Sequence, residues 1–288
     1  MSRSRSSKRS RALTLAAAIT AVSALLVAPA AASARTLFGS GSSASVPYLE
    51  ALFKGYKKVK PSIKFVYNPN GGNAGVADVQ AGKSQFAIQT RPPLPSDSGT
   101  TYAKLFLDGL CIVVNPANDL TGLRVSQVRD IYLANQTEWS AYPGSGLTAP
   151  ISAFGRVTTA GLYTFFQSAV LGGATQASNV TALDKDGEVA VAVSKNQNGI
   201  GYVGLANSGP SKGVKRLKLN GYGCGPRAIK KLKYPLTRYA WVVYPTKSPN
   251  KAVLKFANWV RTSYAAGRII AKAGGVPAFN ATKPPRRR

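Results

Sequence analysis

Short apolar runs alternate along the chain with stretches of helical periodicity, and that alternation predicts an α/β fold. Residues 36–39, 63–67, 86–88, 110–115, 151–155, 199–203 and 236–244 read as strands. A helix with Pro47 in its first turn is expected through about Lys58. A second, opened by Gly71 to Gly75, is expected through about Ala81. Residues 125–133 read as a helix, and so do 159–170, where Leu162, Phe165, Phe166 and Val170 share one face and read as core. Residues 188–194 fit a helix or a buried strand equally well. Helices follow over 250–273. Residues 91–99 form a Pro/Ser/Gly loop, the tail 283–288 reads as disordered, and no internal repeat is visible.

The first 34 residues stand apart. Arg3, Arg5, Lys8, Arg9 and Arg11 precede an Ala/Leu/Val-rich run over 12–28, then Pro29 and small residues ending in Ala32-Ser33-Ala34. This pattern predicts a secretory signal peptide cut after Ala34. The run is interrupted by Thr14, Thr20 and Ser23 and falls short of the ~20 residues of a membrane span. No cysteine lies near the cut, so a lipoprotein is not expected. The remainder is long enough to bury a large core without metal or disulfide staples.

Charge narrows the partners. The chain carries 38 Lys and Arg against 10 Asp and Glu, a formal +28. After Glu188 no acidic residue occurs, whereas 189–288 holds 20 Lys and Arg. Such a field draws anions and polyanions, over a Debye length of roughly 8–10 Å. The absence of histidine removes Ser-His-Asp and Cys-His catalysis and the usual metal ligands. Neither a metal nor a cofactor is expected. Cys111 and Cys224, in a chain bound for an oxidising compartment, are compatible with one disulfide or with two buried thiols.

Three places share one design, in which a strand ends, small polar or glycine residues follow, and a helix begins. They are Gly39-Ser40-Gly41-Ser42-Ser43, Gly71-Gly72-Asn73-Ala74-Gly75 and Gly155-Arg156-Val157-Thr158-Thr159. Each exposes unpaired backbone N–H groups at the positive end of a helix dipole, which suits an anion. Ser and Thr are also ordinary helix caps; the recurrence, with an arginine inside one loop, is what points to a site.

The stretch Asp108-Gly-Leu-Cys-Ile-Val-Val-Asn-Pro116, followed by residues 123–139 (LRVSQVRDIYLANQTEW), resembles the phosphate-binding proteins of phosphate ABC transporters. Gly199-Ile-Gly-Tyr-Val-Gly204, Tyr234-Pro-Leu-Thr-Arg238 and Val276-Pro277 add to the resemblance, in the family's order. It implies a type II periplasmic-binding-protein fold: two α/β lobes joined by two crossing strands, near 110–115 and 236–244, with the ligand between. Lobe one would then be 35–113 plus 239–288, and lobe two 114–238. A Cys111–Cys224 disulfide would staple the hinge region.

The resemblance also implies a ligand set. Ser43 fits the hydroxyl residue of the first loop, with Ala44 offering its N–H. Gly72 stands where relatives have a serine, so Asn73 and the N–H of Ala74 take over. Thr90 and Arg91, in Gln89-Thr-Arg-Pro-Pro93, match an arginine version of the third loop. Arg156 matches in the fourth, whereas Ala160 and Leu162 replace a Ser and a Thr, for which Thr158 and Thr159 would compensate. The expected function is an extracytoplasmic solute-binding protein rather than an enzyme. It would be a monomer that holds phosphate or a similar oxyanion for an ABC permease or for scavenging. The alternative is a secreted cationic adhesion protein with a degenerate cleft, bound to anionic cell-wall polymers. No specific nucleic-acid partner is expected.

Overall fold

Strands and helices interleave around one continuous sheet in the computed structural model, which describes residues 35–279. The expected leader, 1–34, and tail, 283–288, lie outside the described residues. The first half runs β1 (Arg35–Gly41), α1 (Val46–Val59), β2 (Ile63–Asn68), α2 (Gly72–Gln80), β3 (Phe86–Gln89) and the long β4 (Thr100–Val114). The second runs β5 (Gly122–Leu123), α3 (Val125–Tyr132), β6 (Ser152–Arg156), α4 (Gly161–Ala169), β7 (Thr181–Leu183), α5 (Asp186–Lys195) and β8 (Gly199–Gly204). The short β9 (Lys215–Arg216), β10 (Lys218–Leu219), β11 (Tyr222–Gly223) and α6 (Pro226–Lys230) lead into β12 (Thr237–Pro245). The chain returns to the first half through β12, α7 (Lys251–Thr262), α8 (Tyr264–Lys272) and β13 (Val276–Pro277).

The main sheet has the order β2-β1-β3-β12-β4-β8-β6-β7, with β13 and β9 also pairing with β4. β2, β1 and β3 are parallel, as are β8, β6 and β7. The central β12 and β4 run antiparallel to their neighbours. Two parallel α/β halves thus meet across two shared strands. Each half buries its own core. Leu37, Leu49, Leu52, Phe86, Phe106 and Phe256 belong to the first, and Ile112, Val128, Phe166, Val189 and Ile200 to the second. Along β4 the change of core falls between Phe106 and Leu107.

Most elements match the periodicity, and the departures have local causes. β4 begins at Thr100, ten residues before the expected strand, because its polar half is zipped to β12 from Thr100↔Pro245 to Gly109↔Thr237. α4 starts at Gly161, since Ala160 N–H closes a turn onto Val157 O at 3.0 Å. The segment open to either reading is the helix α5. Glu188 folds back to accept from Lys185 N–H at 3.0 Å, which caps its start. Cys111 in β4 and Cys224 before α6 form a disulfide, Cα–Cα 5.5 Å, closing 113 residues. No helix among the described residues is long and apolar enough to cross a membrane.

Candidate functional site

In a sheet of this kind the carboxyl ends of parallel strands, where strand order reverses, are where ligands bind. Here β1, flanked by β2 and β3, is such a point, and its end faces the second half. Ser43 is buried, and its Oγ accepts from Asp186 N–H, the first residue of α5, at 3.2 Å. Ala44 is buried too, with its methyl against Gly204 at the end of β8.

The α2 start meets the loop after β6 directly. Asn73 N–H donates to Thr159 O at 3.2 Å. The Asn73 side-chain amide donates to Thr164 Oγ1 at 2.8 Å and Thr158 O at 3.3 Å. Asn73 Oδ1 accepts from Gln89 Nε2 at 3.1 Å and Arg91 Nε at 2.7 Å. Both donor groups expected to serve an anion are therefore engaged across the two halves. Ala74 is half-buried one residue further into α2, and the Thr158 and Thr159 side chains are exposed, with their carbonyls carrying the contact.

Arg91 is engaged within its own loop. Its guanidinium grips Asp97 at 2.6 and 2.9 Å and also donates to Pro92 O and Tyr102 Oη. Asp97 further accepts from Leu94 N–H and Tyr102 Oη. Burial alone would raise the Asp97 carboxyl, but these donors and the Arg91 charge hold it below the ordinary carboxylate value. The arginine braces its own loop and supports Asn73.

Arg156 is only 1% exposed. Its Nε donates to Leu183 O, its Nη2 to Asp184 O, and its Nη1 comes within 3.7 Å of Asp186 Oδ1. Asp186 accepts from Gly204 N–H through both oxygens at 3.1 Å and from Asn207 Nδ2 at 2.7 Å. Burial lowers the Arg156 pKa and raises that of Asp186, each only partly offset by its partner. The expected cation thus comes with a counter-charge.

A second pair that the motifs carried, but to which no role was assigned, adjoins the first. Arg238 in β12 donates to Asp108 Oδ2 in β4 through Nη2 at 2.7 Å and Nε at 3.2 Å. Asp108 Oδ1 accepts from Tyr48 Oη and Leu205 N–H. Gly204 N–H donates to Asp186 and the next N–H, of Leu205, to Asp108, so both pairs form one buried network. Its formal charges cancel, and incompletely used donors remain. Arg238 Nη1 and Thr90 Oγ1 are such groups: both are buried and have no hydrogen-bond partner among the described residues. Asp108 and Asp186 carry little signal in the sequence because each finds its partners far along the chain.

An open groove of about 840 Å³ leads from this network between Ser43, Pro47, Leu183, Lys185 and Asn207. A smaller one of about 380 Å³ lies beside it against Asn70, Val157 and Thr159.

Two α/β halves built on shared strands, with polar strand ends and helix starts of both meeting between them, are the architecture of a periplasmic-binding-protein domain. The chain belongs to the PBP superfamily, whose domain matches residues 27–263. It is 29% identical over 242 residues to the phosphate-binding protein PstS of Staphylococcus epidermidis, covering 77% of this chain and 73% of that one. It is 25% identical to Protein SphX of Synechococcus elongatus over 93% of this chain and 85% of the other. Among solved structures, a substrate-binding protein from Clostridium perfringens with bound phosphate superposes with a TM-score of 0.79 at 24% identity, covering 84% and 99% of the two chains. An ABC-type phosphate transport receptor from Vibrio cholerae gives 0.68 at 22% identity over 83% and 99%. The fold is that of the type II periplasmic binding proteins.

Proposed function

We propose that this protein binds an oxyanion, inorganic phosphate first, between its two halves, and delivers it to an ABC permease or scavenges it outside the cytoplasm. The observation that carries this reading is the buried network joining Ser43, Arg156, Asp186, Asp108 and Arg238, bordered by donors with no protein partner. A small anion satisfies such donors and gains from the low dielectric around them. The curated relatives named for phosphate binding support the choice of anion. The disulfide supports an oxidising, extracytoplasmic compartment, consistent with the leader expected over 1–34.

In this reading the lobes 35–113 plus 239–288 and 114–238 close on the anion, Arg156 supplies the forked cation, and Ser43, Thr90 and the α2 start supply donors. No step makes or breaks a covalent bond, so binding and release are the whole activity. Titration calorimetry against phosphate and sulfate tests it: a single saturable site for phosphate is expected. Heat released equally by every anion, and abolished by moderate salt, would overturn it.

A second reading has one observation in its favour. A groove of about 640 Å³ beside the disulfide is lined by Arg216, Lys218, Arg227, Lys231 and Lys233 and by no acidic residue. Such a surface fits an anionic wall polymer. Polymer binding that survives Arg156→Ala and falls steeply with salt would favour this reading over the clamp.

A further inference from the structure

The end of β3 holds a side chain that the anion reading does not use. Gln89 is fully buried, and its carboxamide enters the junction between the first residues of α2 and α4. A Cβ on Gly72 would stand 2.3 Å from Gln89 Oε1, and one on Gly161 only 1.8 Å from it. No side chain fits at either position while Gln89 lies there. Both glycines open helices of nine residues, so the amide oxygen lies against two helix N-termini from opposite halves. It accepts from Thr90 N–H at 2.8 Å, while Nε2 donates to Asn73 Oδ1. The next side chain, Thr90, is fully buried and its Oγ1 has no hydrogen-bond partner among the described residues.

A neutral acceptor oxygen held between two positive helix ends, beside a buried unpartnered hydroxyl, is the environment an anion oxygen requires. We propose that Gln89 is a built-in occupant of the anion site, an internal stand-in whose carboxamide must swing out before an external oxyanion can enter. Asn73 completes the device. It ties Gln89 and Arg91 on one side to Thr158, Thr159 and Thr164 on the other, so its hydrogen bonds bridge the two halves. Affinity for phosphate is accordingly set low by competition, and the protein responds only where the anion is abundant. This inference rests on the proposed phosphate reading and adds to it a residue that sets the threshold.

Calorimetric titration with inorganic phosphate, on the parent protein and on Gln89→Ala and Gln89→Leu, tests it. Displacing Gln89 means vacating the space against Gly72 and Gly161 and giving up two hydrogen bonds, each worth a few-fold in an equilibrium constant; Gln89→Ala does both in advance and is expected to bind about tenfold more tightly. Gln89→Leu, which drops the hydrogen bonds but keeps the bulk that blocks the space, is expected to bind no more tightly than the parent. Should Gln89→Ala fail to fold, Gln89→Ser carries the same expectation. Parent binding that weakens or holds steady in Gln89→Ala overturns the inference and leaves the phosphate reading intact. So does equal tightening in Gln89→Leu, because space would then not be what matters. If neither the parent nor the alanine variant binds millimolar phosphate, the phosphate reading falls, and the threshold role with it.

Discussion

Arg91 and Arg156 occupy matched places, one just past β3 and one at the end of β6, each buried and each with an aspartate of its own half. They behave as opposites. Arg91 meets Asp97 through two short bonds, and the carboxylate gathers Leu94 N–H and Tyr102 Oη as well. Arg156 spends two donors on carbonyls and leaves its third at 3.7 Å from Asp186. The pKa directions diverge accordingly: Asp97 falls and Asp186 rises. A guanidinium saturated by its own chain is a structural brace. One whose buried charge is incompletely answered is the one on which the proposed anion binding relies.

The strongest attack on this contrast removes Arg156. Because Arg156→Ala alone strands a buried aspartate, the double variant Arg156→Ala/Asp186→Asn is the cleaner probe. It is expected to lose at least about 100-fold in phosphate affinity, near 3 kcal/mol. Arg91→Ala is expected to cost about 2–3 kcal/mol of unfolding free energy by urea titration while changing phosphate affinity less than about threefold. Equal loss of binding in both would erase the distinction. Asn73→Ala, which removes the side-chain bonds from α2 to Thr158 and Thr164, should cost about 1–2 kcal/mol of stability.

The smallest effect is a pH dependence of opposite sign in the two pairs. Asp97, held below its unfolded pKa of roughly 3.9, contributes stability that is present above that value and is lost as pH falls through its lowered folded value. Asp186, held above its unfolded value, contributes a cost that appears as pH rises from about 4 through its raised folded value. Melting curves of Asp97→Asn should therefore lose part of the acid-side decline, which Asp186→Asn should retain.

How far the chain could be read depended on the range of the interactions involved. Apolar spacing sufficed for α1, α3 and the strands β1, β2, β3, β6 and β8. It failed for β7 and for β9 to β11, two or three residues each, where no period can develop. It also failed for the first ten residues of β4, whose Lys104 and Asp108 look like loop until β12 is laid beside them. Arg156 was visible through its motif. Its counter-charge was not, because Asp186 lies 30 positions later and is positioned by Ser43, Gly204 and Asn207. Gln89 lies inside the Gln89–Pro93 motif with no role of its own in the sequence, since its meaning depends on Gly72 and Gly161, two glycines far apart in the chain that both come against it in the fold.

The cross-link between Cys111 and Cys224 fastens a ribbon of short elements to the strand that both halves share. Between Arg216 and Lys233 the regular structure amounts to short strands and one helix of five residues, and the stretch offers trypsin Arg216, Lys218, Arg227, Lys230, Lys231 and Lys233 as cleavage points. Mild reductant should therefore make this ribbon the first place a protease enters, well before either core opens.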